Sequence, residues 1–297
     1  MVLLKFLGSY GNKAALQKFG LMMGISKGAV NIYVRWTCNA LLKHCEQVIK
    51  WPSIEEWWNI SGRIRKAHGF VKCIGLIDGT LFPLAFAPML NGEIYYTRKG
   101  DYAIDAIGRL VICDDAARIT WVEIRWPGIV HNNWVWSNSE INLSKDNYFD
   151  QKEYLIGHLA FSTSAAFKKG HNRNLREKQR YFNTKLAKIW IKSEHCIGLI
   201  KAQFQHLRGF GKEIQDKQDL DAILRLVMCA YILHNLLIDQ PVLPARLVQQ
   251  EHGGVGSRWL VGSVCGTKQW TQDATKSLYM LDEHQVPEWT KDSLHIN

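Results

Sequence analysis

Apolar and polar positions change texture three times along the chain. Residues 13–48 carry apolar positions at helical spacing, broken once at Gly24-Ile25-Ser26. This predicts one helix over Ala15–Met23 and a second from Lys27 to Val48, with Ser26 as its N-cap. A helix, a Gly-containing turn and a helix form the pattern of a helix-turn-helix, and a corner of a plain helical bundle gives the same pattern. Trp51-Pro52 ends the run, and residues 53–68 read as a short linking helix.

From residue 71 the period shortens to two. Strands are predicted at 71–77, about 102–113 and 118–126. Tyr102-Ala103-Ile104-Asp105-Ala106-Ile107 and Ile119-Thr120-Trp121-Val122-Glu123-Ile124 both alternate, and Asp114-Asp115-Ala116-Ala117 between them reads as a hairpin turn. A polar loop leads to a further strand, Glu153-Tyr154-Leu155-Ile156-Gly157. Beyond about residue 177 the helical period returns. A helix over about 183–208 has the apolar stripe Leu186, Ile189, Ile197, Ile200, Phe204 and Leu207. Glu194, Lys201 and Arg208, spaced by seven, stack along another line of it. Residues 220–238 form an apolar helix in which His234 reads as a satisfied core histidine. After Pro241 and Pro244 no period is visible. The expected organisation is a helical segment over 1–68, an α/β (α+β) domain with a mixed sheet over 69–240, and a loosely packed tail over 241–297.

Composition agrees with a packed core, since 47% of the 297 residues are apolar. No run of about 18 apolar residues predicts a membrane span. The net charge of +10 favours an anionic partner, with nucleic acid first and an anionic membrane surface second. Much of the excess falls at residues 168–192, where nine Lys and Arg, including Lys168, Lys169, Arg173 and Arg176, face one acid, Glu177. Such a lopsided run favours phosphate contact over a merely solvated face. In a helix-turn-helix, Lys27, Asn31 and Arg35 would share the face that enters the DNA groove. The seven cysteines include no Cys-x-x-Cys pair, which disfavours a zinc ribbon. Buried free thiols in a reducing, intracellular compartment are expected.

The chemistry begins at Cys73-Ile74-Gly75-Leu76-Ile77-Asp78-Gly79-Thr80, a buried strand that delivers one carboxylate to its tip. A strand, two hairpin strands, another strand and a long helix carrying an acid is the order of an RNase H-like fold. In such sites carboxylates hold divalent ions that activate water and stabilise the leaving oxygen. Several stretches, in order, resemble the DDE endonuclease domain of Harbinger-type eukaryotic transposases. They are Gly75 to Thr80, Tyr95-Tyr96-Thr97-Arg98-Lys99, Trp126-Pro127-Gly128-Ile129-Val130-His131-Asn132, Tyr154 to Phe161, Ser193 to Lys201, and Leu233-His234-Asn235-Leu236-Leu237. The resemblance spans roughly residues 10–240 and implies DNA cleavage and joining with Mg²⁺ or Mn²⁺, in the nucleus, with a separate DNA-binding protein as a further partner. It also implies that the first helices are a DNA-binding segment.

By position, the strand carboxylate is Asp78 and the helix carboxylate is Glu194. The second catalytic aspartate of the family falls at His158, and the aspartate of its His-Asp pair at Asn132. Trp190 stands where the family has an arginine, and Ser193 where it has an apolar residue. The expected metal ligands and catalytic residues are therefore Asp78, His158 and Glu194. Imidazole suits Zn²⁺, Ni²⁺ or Mn²⁺ better than Mg²⁺. Its neutrality removes a contact worth several kcal/mol at about 4 Å and an effective dielectric of about 20. Activity is expected to be severely reduced or absent, leaving a DNA-binding protein on a nuclease scaffold as the alternative. Asp105, Asp114 and Asp115 are the nearby acids that could substitute. Lys201 and Arg208 complete the candidate phosphate contacts, with Lys27, Asn31, Arg35 and the basic run.

Overall fold

In a computed structural model the described residues are 1–11, 15–89, 92–95, 103–104, 110–123, 132–150, 153–157 and 177–238. The N-terminal part is helical: α1 (Val2–Leu7), α2 (Leu16–Met23), α3 (Lys27–Leu42), α4 (Cys45–Val48) and α5 (Ile54–His68). Ser26 caps α3 as expected, its side chain accepting a hydrogen bond from Ala29 N at 3.1 Å. Gly24 ends α2 in the left-handed conformation, φ 69°, which glycine adopts without strain. Ser53 and Glu56 form a capping box at the start of α5. This helix is more than a linker, because Ile60 and Ile64 are buried and it packs on the first strand of the sheet.

The sheet contains β1 (Cys73–Gly79), β4 (Leu110–Cys113), β5 (Ile119–Glu123) and β6 (Tyr154–Gly157) in the order β5-β4-β1-β6. The three strands β5, β4 and β1 are antiparallel, and β6 runs parallel to β1 on its other side. This is the mixed sheet expected of the α/β nuclease core. β1 is central and almost wholly buried, which explains its unbroken apolar run. Gly75 is required there by close approach. A Cβ at this position would lie 3.0 Å from Leu155 Cδ2 and 3.3 Å from the Cys113 carbonyl oxygen. A small second ribbon pairs β2 (Phe82–Pro83) with β3 (Ala103–Ile104).

Two features differ from the pattern read in the sequence. The stretch taken as a polar loop before β6 contains three short helices, α6 (Asn132–Ser137), α7 (Glu140–Leu143) and α8 (Lys145–Tyr148). They bury Val135, Trp136 and Ile141 against the far face of the sheet, so tertiary packing outweighs the local polarity. The long helix α9 spans Glu177–Gln203 and stops before Arg208, which sits in a separate 3-10 turn, Gln205–Arg208. The line through Glu194, Lys201 and Arg208 is thus broken at Phe204.

The last helix among the described residues, α10 (Lys217–Ile238), is long and apolar enough to cross a membrane by length and composition. It is instead the core helix, with 61% of its most apolar window buried inside the molecule. Its polar residues are engaged. His234 Nε2 lies 2.9 Å from the Ala117 carbonyl and Nδ1 2.8 Å from Gln203 Oε1. The ring thus bridges the β4–β5 turn and α9. Asn235 Oδ1 accepts from Ile119 N at 2.9 Å, and Nδ2 donates to the carbonyls of Ile119 at 2.7 Å and Val48 at 3.1 Å. Histidine and asparagine together clamp α10 onto the β4–β5 turn and α4. One apolar core runs from Leu3 through the sheet to Ile232. The tail over 241–297 lies outside the described residues.

Candidate active site

Asp78 stands at the end of β1, half-buried, where the apolar strand meets the Gly79-Thr80 turn. Gly79 N–H donates to its Oδ1 at 2.8 Å and fixes the carboxylate's direction. Glu194 is half-buried on α9, which packs against β1 and β4. The two carboxylates are close enough to sense one another. Burial pushes the Asp78 carboxyl up to about 7, the Gly79 N–H opposes the rise, and the Glu194 charge adds to it. Glu194 is also raised by burial, with the neighbouring His195 pulling it back. Glu194 is the more open of the two groups.

Two carboxylates held together in a partly dry site suit a hard divalent cation with oxygen ligands. Thr80 Oγ1, two residues beyond Asp78, is buried with no hydrogen-bond partner among the described residues, an opening for a further polar guest. Asp78 and Glu194 are the residues that would hold such an ion. Among the described residues no group of three or more His, Cys, Asp or Glu converges on a metal. His158, the expected third ligand, and Asp105 lie outside the described residues, and Asn132 is described only by its place at the start of α6.

Asp114 and Asp115 do not serve as substitutes. Asp114 Oδ1 accepts from Ala116 N and Arg118 N, both at 2.9 Å, and so shapes the hairpin turn read in the sequence. Asp115 pairs with Arg63 of α5 through Nε at 3.0 Å and Nη2 at 2.6 Å. That ion pair links residues about fifty positions apart, and no local pattern announces it.

Lys201 bonds the backbone beside the site. Its Nζ donates to the Leu81 carbonyl at 2.8 Å and lies 5.4 Å from the centre of the Phe82 ring. It therefore ties α9, which carries Glu194, to the turn that carries Asp78. Ser193, buried beside Glu194, donates to the Trp190 carbonyl of its own helix at 2.7 Å, which is how a hydroxyl occupies an apolar position there.

Lys27, Asn31 and Arg35 are exposed on one face of α3, as the spacing predicted. They line a broad cleft of about 2440 Å³ whose opposite walls are Pro83–Phe86 and residues 208–226. Arg208 and Arg225 reach the same cleft. Arg208 Nε donates to the Lys201 carbonyl at 3.2 Å, and Arg225 pairs with Asp221 at 2.7 Å. The exposed rings of Trp36 and Phe86 interleave with these cations. Lys168, Lys169, Arg173 and Arg176 lie outside the described residues.

A central strand and the long helix packed against it carry two half-buried carboxyls, Asp78 and Glu194, both held above their usual range by burial. The family model for DDE superfamily endonucleases matches residues 77–235, more than half of the chain, and the chain belongs to that family. It is also similar to the human protein "Putative nuclease HARBI1", with 24% identity over 163 residues. That match covers 52% of this chain and 44% of the human protein, so the chain spans less than half the length of this curated relative. No solved structure matches the chain.

Proposed function

We propose that this chain is a Harbinger-type, transposase-derived nuclease scaffold that engages DNA and a divalent cation, and that its strand cleavage is strongly reduced. The placement of Asp78 at the tip of β1 and of Glu194 on the helix packed against it supports the nuclease reading, because two half-buried carboxyls held above their usual range have little structural use. A bound Mg²⁺ or Mn²⁺ supplies Lewis-acid activation of water and of the phosphodiester. The chain's own contribution is positional. Gly79 N–H aims Asp78, and Lys201 holds the turn against the helix of Glu194. Asp78 must also lose its proton, which happens only near pH 7 before a cation arrives. The reduction rests on His158 and Asn132, which stand where the family has aspartates and remove negative charge from a site built for dications. DNA binding without cleavage is the second reading, favoured by the cationic, aromatic-walled cleft at α3. A nuclear location and a separate DNA-binding partner protein accompany both.

A plasmid-nicking assay in Mg²⁺ and in Mn²⁺ decides between them. The unaltered chain should nick slowly if cleavage is reduced and no faster than buffer if it only binds, and His158→Asp with Asn132→Asp should raise nicking that a further Asp78→Ala removes. Nicking by the unaltered chain as fast as that double variant, and abolished by Asp78→Ala, would overturn the reduced-activity reading. Failure to retain DNA at low salt would overturn DNA binding itself.

A further inference from the structure

The cleft at α3 carries large rings as well as cations. Trp36 on α3 is 61% exposed, Phe86 on the opposite wall 54%, and Tyr10, which lines the same cleft, 52%. Exposed apolar residues scattered singly are ordinary, whereas three large rings on one cleft form a surface that suits an occupant. The rings are held in place. Trp36 meets Tyr33 with ring centroids 6.2 Å apart and planes at 71°. Tyr10 lies so close over Gly209 that a Cβ there would come within 3.2 Å of its ring. The wall that bears Phe86 is knit by backbone, Phe210 N donating to the Pro83 carbonyl at 2.9 Å and Ala85 N to the Phe210 carbonyl at 3.0 Å.

Lys27 and Arg35 are exposed and make no ion pair among the described residues. An occupant that complements the cleft therefore presents negative charge to α3 and flat apolar faces to the rings. A DNA duplex offers the charge but keeps its base faces stacked inside, whereas an unpaired strand offers both. The shape agrees. A recognition helix must protrude to enter a major groove about 12 Å wide. The face of α3 with Lys27, Asn31 and Arg35 instead forms one wall of a cleft, opposite residues 83–86. That opposite wall follows the turn of Asp78 in the chain through β2, and Arg208, also at the cleft, is bonded to the Lys201 carbonyl. The cleft is thus built partly on the segment that carries Asp78.

We propose that this cleft holds single-stranded DNA, with its phosphates on Lys27 and Arg35 and its bases stacked on Trp36 and Phe86. The inference rests on the DNA-engaging reading above and names the form of DNA, an unpaired strand rather than a duplex. Little sequence preference accompanies it, since every base has an aromatic face. Phosphate contact alone favours the duplex, whose charge is the denser. A preference for the single strand therefore measures what the rings contribute.

Fluorescence anisotropy of the full chain, with EDTA present so that no cleavage intervenes, compares an oligothymidylate of about 16 nucleotides with a blunt duplex of equal length. The single strand should bind at least about tenfold tighter. Trp36→Ala and Phe86→Ala should each weaken it by about 5- to 150-fold, the loss of one stacked base, and weaken duplex binding far less. Trp36→Phe, which keeps a ring, should retain most of the affinity. Both rings are exposed, so the alanine variants should unfold at the temperature of the parent chain. A duplex bound as tightly as the single strand, or no loss in either alanine variant, would overturn this inference and leave DNA binding standing. Neither form binding at low salt would overturn both. Displacement of the strand by polyglutamate as readily as by unlabelled oligothymidylate would assign the cleft to an acidic protein segment instead. Self-association of the free chain that Trp36→Ala abolishes would assign it to a second copy, and either result overturns the inference.

Discussion

Asp78 combines a strong apolar setting with a charge, and its acidity reports that conflict. A carboxyl whose folded value, about 7, exceeds its usual 3.8 binds its proton more tightly in the folded chain. Between those values the folded chain holds the extra proton, so the contribution of Asp78 to stability is fully present below pH 4 and is lost as pH rises through 7. Asp78→Asn keeps an oxygen for Gly79 N–H and removes the titration. It should stabilise the metal-free chain at pH 8 by on the order of 2–4 kcal/mol and leave it unchanged at pH 4. Thermal unfolding across pH measures this, and a shift of equal size at both pH values would show that Asp78 is not desolvated. Divalent cation added at pH 8 should raise the melting temperature of the parent chain and not of the variant.

At the scale of elements, what could be read from the sequence depended on where each element's partners lie. The strand β1, the hairpin around Asp114 and the Ser26-capped helix were legible because alternation, turn chemistry and capping are local. Asp78 and Glu194 were singled out through family resemblance, and only the fold shows the helix of one packed on the strand of the other. Helices α6–α8 were not legible, since short polar stretches become helical only through Val135, Trp136 and Ile141 packing on the sheet. The contact of the Lys201 ammonium with the Leu81 carbonyl was hidden, since spacing cannot show it. The contacts of His234 with Ala117 and of Asn235 with Ile119 were equally hidden, the partners lying more than a hundred residues away. Asn235→Ala should cost about 2–4 kcal/mol, because Ile119 N–H and two carbonyls lose a buried partner together. Chemical denaturation should show a lower midpoint at unchanged slope, and a loss below about 1 kcal/mol would mean that water replaces the side chain.

For the whole molecule, net charge is less informative than its distribution. Lys27 and Arg35 of α3 share one cleft with Arg208 and Arg225 although these residues lie on separate stretches of chain. If DNA occupies this cleft, Lys27→Glu with Arg35→Glu should weaken binding and lower the slope of log affinity against log salt by about 2. Fluorescence anisotropy at several salt concentrations reads both, and an unchanged slope would place the DNA elsewhere. The clamp at Asn235 has a further consequence for synthesis. Strands β4 and β5 leave the ribosome long before α10, yet their turn is locked only when His234 and Asn235 arrive. The nascent sheet therefore waits, its hairpin unfastened, until nearly the whole described chain has been made, and α10 acts as the latch that fastens it.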